Sequence, residues 1–82
     1  MDSQTVGKVI KQFREDRKLS QEIVSGLASI DRSHLSKIEL GLRSPTVNVL
    51  YKIANAMEVQ ASDILRTAER EESKQQHSSG AG

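Results

Sequence analysis

The sequence predicts an all-α domain of five short helices. Three observations predict it. Apolar residues recur at helical spacing in successive short blocks. No stretch alternates strictly enough between apolar and polar to make a strand. The blocks are separated by residues that start or stop helices, namely Ser20, Asp31, Gly41, Pro45 and Thr46.

In the first block Val6, Val9, Ile10 and Phe13 fall at i, i+3, i+4 and i+7, one face of a helix. Lys8, Lys11, Arg14, Glu15, Asp16 and Arg17 fill most of the remainder. Ser20 is a good N-cap for a second helix carrying Ile23, Val24 and Leu27, with Glu22 in the first turn, where the macrodipole favours a carboxylate. Asp31 is the N-cap expected for a third, carrying Leu35 and Ile38, and Gly41 suits its C′ position. Pro45 then breaks the chain, and Thr46 can cap a fourth helix presenting Val47, Leu50, Ile53, Ala54 and Met57. A fifth begins near Gln60 or Ala61 and presents Ile64 and Leu65. Most of these helices are too short to be stable alone, so they must pack into one globular unit.

From Thr67 to Gly82 there is no Val, Ile, Leu, Met or aromatic residue. Such a segment buries too little to offset its ordering entropy. Residues 67–82 are therefore expected to be a frayed helix end and a disordered tail, with His77 solvated, and residues 1–66 to be the domain. Residues 1–66 carry ten of the twelve Lys and Arg and eight of the eleven Asp and Glu. The whole-chain charge of +1 thus averages a mildly basic domain with a slightly acidic tail. Long-range steering of a charged partner should be modest.

Composition excludes several functions. The 82 residues leave room for one small core. With no Cys there is neither a disulfide framework nor a zinc finger. Phe13 and Tyr51 are the only aromatic residues, too few for a stacking platform on single strands. No apolar run is long enough for a membrane span or a signal-peptide core. An enzyme is not expected: no nucleophile–base pair or metal-spaced cluster is evident, and Gly7-Lys8 lacks the earlier Gly of a phosphate-binding loop. No cofactor and no metal are implied.

The chemistry concentrates in residues 19–45. Two short helices about three residues apart make a helix-turn-helix, in which the first helix props the second so that its N-terminal side chains reach base edges. That arrangement needs small or apolar residues where the helices cross, here Val24, Ser25, Ala28, Ile30, Leu35 and Ile38. It also needs polar residues at the start of the second helix, here Arg32, Ser33, His34, Ser36 and Lys37.

The stretch resembles the Xre/Cro-type helix-turn-helix family of prokaryotic and phage transcriptional regulators. The resemblance is carried by Arg14, Leu19-Ser20-Gln21, Ala28, Ile30, Arg32-Ser33, Leu35-Ser36-Lys37-Ile38-Glu39, Gly41, Arg43, Pro45, Leu50, Ile53-Ala54 and Val59. It spans roughly residues 5–66 and implies a compact, lambda-repressor-like five-helix fold. It further implies a sequence-specific regulator, a repressor, working as a homodimer on double-stranded DNA with a palindromic operator, in the cytoplasm at the nucleoid and away from membranes. Helix 31–40 would read the major groove through Arg32, Ser33, Ser36 and Lys37. Arg and Lys suit guanine O6 and N7, and Ser suits either donor or acceptor. Ser20, Gln21, His34, Arg43, Ser44 and Asn48 would touch the DNA backbone, with Gln21 also bracing the first residues of the recognition helix. Lys8, Lys11, Arg17 and Lys18 are further candidates, although a basic helix surface is more often simply solvated. Arg14 and Glu39 would form an internal ion pair tying the first helix to the third.

The sequence departs from the family pattern at several points. Ser29 stands where the family has Gly in the turn, and Gly26 lies inside the second helix. Asp31 can cap its helix, or its carboxylate can read a cytosine amino group; capping is the expectation. Leu40 and Leu42 replace polar residues and, with Val49, form an apolar patch that either packs on the fourth helix or meets a partner. That region or the Met57–Leu65 end would contribute to a homodimer. The alternative to a DNA-binding regulator is an antitoxin-like or other protein-interaction module on the same fold; RNA binding is less favoured, for want of aromatic residues.

Overall fold

The structure is a computed structural model that describes the backbone of residues 2–81 and the side chains of residues 2–74. It contains α1 (Ser3–Asp16), α2 (Gln21–Ala28), α3 (Arg32–Glu39), α4 (Val47–Ala56) and α5 (Ala61–Ala81). Among the described residues there is no strand, and no helix is long and apolar enough to cross a membrane.

The apolar stripes read from the sequence converge on one core. Ile10, Val24, Leu35, Ile38, Ile53 and Ile64 are its largest fully buried side chains, so every helix contributes at least one. Phe13, Leu19, Ile30, Val49, Val59 and Leu65 pack around it, partly buried. Two stripes are narrower than expected. Ile23 and Leu27 of α2 and Val47 at the start of α4 face solvent, each more than half exposed, so Val24 alone of the α2 residues expected in the stripe is buried. Met57 is buried in the core and so is unavailable to a partner.

Of the starts of α1 to α4, three are capped by a side chain. The side chains of Asp2, Ser20 and Thr46 accept from the backbone N–H groups of Gln4, Ile23 and Val49 at 2.9, 3.0 and 3.2 Å. Asp31 takes the N-cap position of α3, but its carboxylate makes no capping hydrogen bond. That part of the sequence expectation is corrected. The start of α3 rests on backbone bonds alone, from His34 and Leu35 N–H to the Asp31 carbonyl at 3.0 and 3.1 Å.

Helix ends follow a second rule. Lys18, Ser29, Gly41 and Glu58 all have positive φ, between 57° and 80°. In each case the next residue's N–H returns to a carbonyl five residues back: Leu19 to Arg14, Ile30 to Ser25, Leu42 to Lys37 and Val59 to Ala54, at 2.9–3.1 Å. These are Schellman closures. Only Gly41 occupies the left-handed position without a Cβ penalty; Lys18, Ser29 and Glu58 each carry a cost of about 1 kcal/mol. Ser29→Gly and Glu58→Gly are therefore each expected to raise stability by about 1 kcal/mol, read as a higher midpoint in chemical denaturation. A midpoint unchanged or lowered in both variants would contradict this account of the turns.

α5 continues past the boundary expected at residue 66. Ala68 is fully buried, and Thr67 and Glu71 are half-buried. Ala61, Ile64 and Ala68 fall at i, i+3 and i+7, so a single small residue carries the packed stripe another turn. The Asp2 N–H donates to Glu72 Oε1 at 3.0 Å, joining this part of α5 to the start of α1. His77 and the rest of the expected tail's end fall among side chains outside the described residues.

Candidate nucleic-acid interface

The third helix is held along one face and open along the other. Leu35 and Ile38 are fully buried and Glu39 is nearly so. Arg32, Ser33 and Lys37 are exposed, with His34 and Ser36 half-buried between them. The i, i+3, i+4 geometry explains the division, because residues 35, 38 and 39 share one face and residues 33 and 37 the other. The base-reading candidates are thereby brought together on one solvent-facing side of a helix whose back is locked into the core.

α1 does the locking. Gly7 lies against the last turn of α3: a Cβ at Gly7 would stand 2.1 Å from the Ile38 carbonyl oxygen and 2.9 Å from that of Glu39. Just beyond, Gly41 lies against Gln4, and a Cβ there would stand 2.9 Å from the Gln4 Cα. Two backbones approach this closely only where a side chain is missing. Gly7, considered above only as a failed phosphate-loop glycine, is a structural contact.

The polar tie between α1 and α3 is also present. Arg14 Nε donates to Glu39 Oε2 at 2.7 Å and Arg14 Nη2 to Oε1 at 3.0 Å, a bidentate pair. Arg14 Nη1 donates to the Leu19 carbonyl at 2.8 Å. Only 2% of the Glu39 side chain and 11% of the Arg14 side chain is exposed. The hydrogen bond donated to Glu39 is the main cause holding the guanidinium above its ordinary pKa; burial opposes it and loses. Gln21 joins the cluster, donating from Nε2 to Glu39 Oε1 at 2.9 Å. Gln21 therefore braces the end of the recognition helix rather than its first residues. One carboxylate thus connects α1, the start of α2 and α3.

The expected backbone-contacting residues occupy three situations. Arg43 and Asn48 are exposed. Ser20 and Ser44 are exposed too, but each hydroxyl has a protein partner: Ser20 Oγ caps α2, and Ser44 Oγ hydrogen-bonds Ser3 Oγ. Gln21 is half-buried, with one amide proton committed to Glu39. Just past α1, Arg17 stacks 5.2 Å from the centre of the Phe13 ring and donates to the Phe13 carbonyl, while Lys8 and Lys11 on α1 and Lys18 after it are exposed. Among the described residues no group of three or more His, Asp and Glu is placed to hold a metal ion.

This fold and this surface define a helix-turn-helix domain, with α2 as the supporting helix and α3 as the presented one. The helix-turn-helix family profile matches residues 10–64, and the chain belongs to that family. Over 61 residues it is 38% identical to the immunity repressor protein of Bacillus phage phi105, a match covering 74% of this chain and 42% of that protein. The chain thus spans less than half the length of that relative. The restriction-modification controller protein C.AhdI from Aeromonas hydrophila superposes with a TM-score of 0.74 at 26% identity, over 76% of this chain and 94% of that one. The clp gene regulator ClgR from Corynebacterium glutamicum shares the fold, with a TM-score of 0.89 over 96% of this chain and 84% of that one at 18% identity.

Proposed function

We propose that this chain is a sequence-specific double-stranded DNA-binding transcription regulator, acting as a repressor and not as an enzyme, in the cytoplasm at the nucleoid. The observation that carries the reading is the presentation of α3: Arg32, Ser33 and Lys37 stand exposed on a helix anchored by Leu35, Ile38 and Glu39. Arg32, Ser33, Ser36 and Lys37 read base edges. Arg43, Asn48 and the second amide proton of Gln21 bind phosphates, with His34, Ser20 and Ser44 at the margin. The immunity repressor and the restriction-modification controller protein among the similar proteins support the reading as a regulator.

The reading includes a homodimer on a palindromic operator, with half-sites about 34 Å apart. Leu42 supports it. At the other Schellman closures the residue after the left-handed position, Leu19, Ile30 or Val59, packs on the core. Leu42 instead is 70% exposed, as are most of Leu40, Val47 and Tyr51. These side chains supply apolar surface for a second copy.

Duplex binding titrated against salt tests the division of roles. Arg32→Ala should cost about 1–3 kcal/mol on the cognate site and relax one base position. Arg43→Ala should weaken cognate and random duplexes alike and reduce the salt slope by about 1. Equal losses on cognate and random DNA for both variants would sink the assignment of readers and positioners. A monodisperse monomer in light scattering, with and without DNA, would sink the dimer.

A further inference from the structure

We propose that Asp31 is a specificity-determining residue, whose carboxylate accepts a hydrogen bond from the exocyclic amino group of a cytosine next to the base that Arg32 reads. The inference rests on the DNA-reading function above and deepens it.

Asp2, Ser20, Asp31 and Thr46 all occupy N-cap positions with extended backbone. Asp31, at φ −66° and ψ 141°, is as well placed to cap as Thr46 at −68° and 165°. Three of these side chains cap, and that of Asp31 does not. Among the described residues its carboxylate makes no hydrogen bond and no ion pair, and the residue is exposed beside Arg32.

A carboxylate at the DNA-facing end of a recognition helix repels phosphates unless it meets a donor. The major groove offers two amino donors, cytosine N4 and adenine N6. Adenine sets its N7 acceptor beside N6, and a carboxylate has only acceptors to put against it. Cytosine presents N4 without that neighbour. The guanine across the pair offers O6 and N7, the acceptors a guanidinium matches. Asp31 and Arg32 therefore form an acceptor–donor couple suited to C·G-rich sequence.

Selection of bound duplexes from a randomised pool, run on the full chain, Asp31→Ala and Asp31→Asn with a thermal melt of each, tests this. The unsubstituted chain should enrich a cytosine at one position. Asp31→Ala should lose that preference by about tenfold with the rest of the site intact. Asp31→Asn should move it toward adenine, since an amide both donates to N7 and accepts from N6. Neither melt should fall. Retention of cytosine by both variants overturns the proposal, and so does tighter binding of every duplex by one common factor. A lower melt with an unchanged site makes Asp31 a cap and overturns it too. If the unsubstituted chain enriches no duplex, the DNA reading itself fails and takes this inference with it.

Discussion

Glu39→Ala is expected to lower the stability of the domain by about 3 kcal/mol, which for a domain of this size drops the melting midpoint by about 15 °C. The carboxylate is almost wholly buried and accepts three hydrogen bonds, two from Arg14 and one from Gln21. Alanine would strand a guanidinium that is only 11% exposed, leaving it the Leu19 carbonyl alone. The stranded charge, rather than the net worth of the pair, sets the size of the loss. Replacing both partners, as in Arg14→Leu with Glu39→Leu, should therefore recover much of it, because neither charge then remains buried. A double variant no better than Glu39→Ala, or a Glu39→Ala melt within about 3 °C of the unsubstituted chain, would show that the cluster carries little. Glu39 touches no base in this account, so its effect on DNA should follow the folded fraction.

How much of this was legible in the sequence depended on the range of the interaction. Helices α1 to α4 and their order were readable because apolar period and cap residues are local signals. Ser29 could be suspected of a left-handed φ, since a helix-turn-helix puts that demand on one turn residue. Lys18 and Glu58 share the conformation but gave no sign, because nothing in their chemistry asks for it. The packed stripe of α5 was cut short for a related reason: Ala68 is too small to register as a hydrophobic anchor, yet it is fully buried. Arg14 and Glu39 lie 25 residues apart, and only the family resemblance joined them; no local pattern does so. Gln21 could be assigned to α2, but its hold on Glu39 is a tertiary contact that no spacing announces.

Two departures, one in a cap and one in a helix closure, lie close together. N-cap side chains cap at Asp2, Ser20 and Thr46 and fail to do so at Asp31. Residues following the left-handed turns bury at Leu19, Ile30 and Val59 and stay out at Leu42. Both exceptions flank α3. Local rules are most often broken where a surface serves something other than the fold. One exception leaves a charged acceptor at the start of the helix, and the other leaves an apolar side chain beyond its far end. Under the proposed function, the first would face DNA and the second a partner copy.

Gly7→Ala is expected to destabilise the domain by about 2 kcal/mol net of the helix propensity it gains. Propensity alone would favour alanine by about 1 kcal/mol, since Gly7 lies within α1. Against it stands a Cβ placed 2.1 Å from the Ile38 carbonyl oxygen. Both atoms belong to rigid helices, so α1 and α3 must part by roughly an ångström before ordinary contact is restored. That separation would stretch the Arg14–Glu39 pair, which spans the same two helices. Gly26→Ala supplies the control. A Cβ there meets nothing within 4 Å, so propensity acts unopposed and stability should rise by about 1 kcal/mol. Opposite signs for one substitution at two helical glycines would locate the effect in the α1–α3 contact. A Gly7→Ala variant that melts at or above the unsubstituted chain would refute the close approach. Where the variant does fold, its α3 should be displaced from the anchored position, so duplex affinity measured well below the melt should fall. Gly26→Ala should bind like the unsubstituted chain, because α2 presents that position to open space.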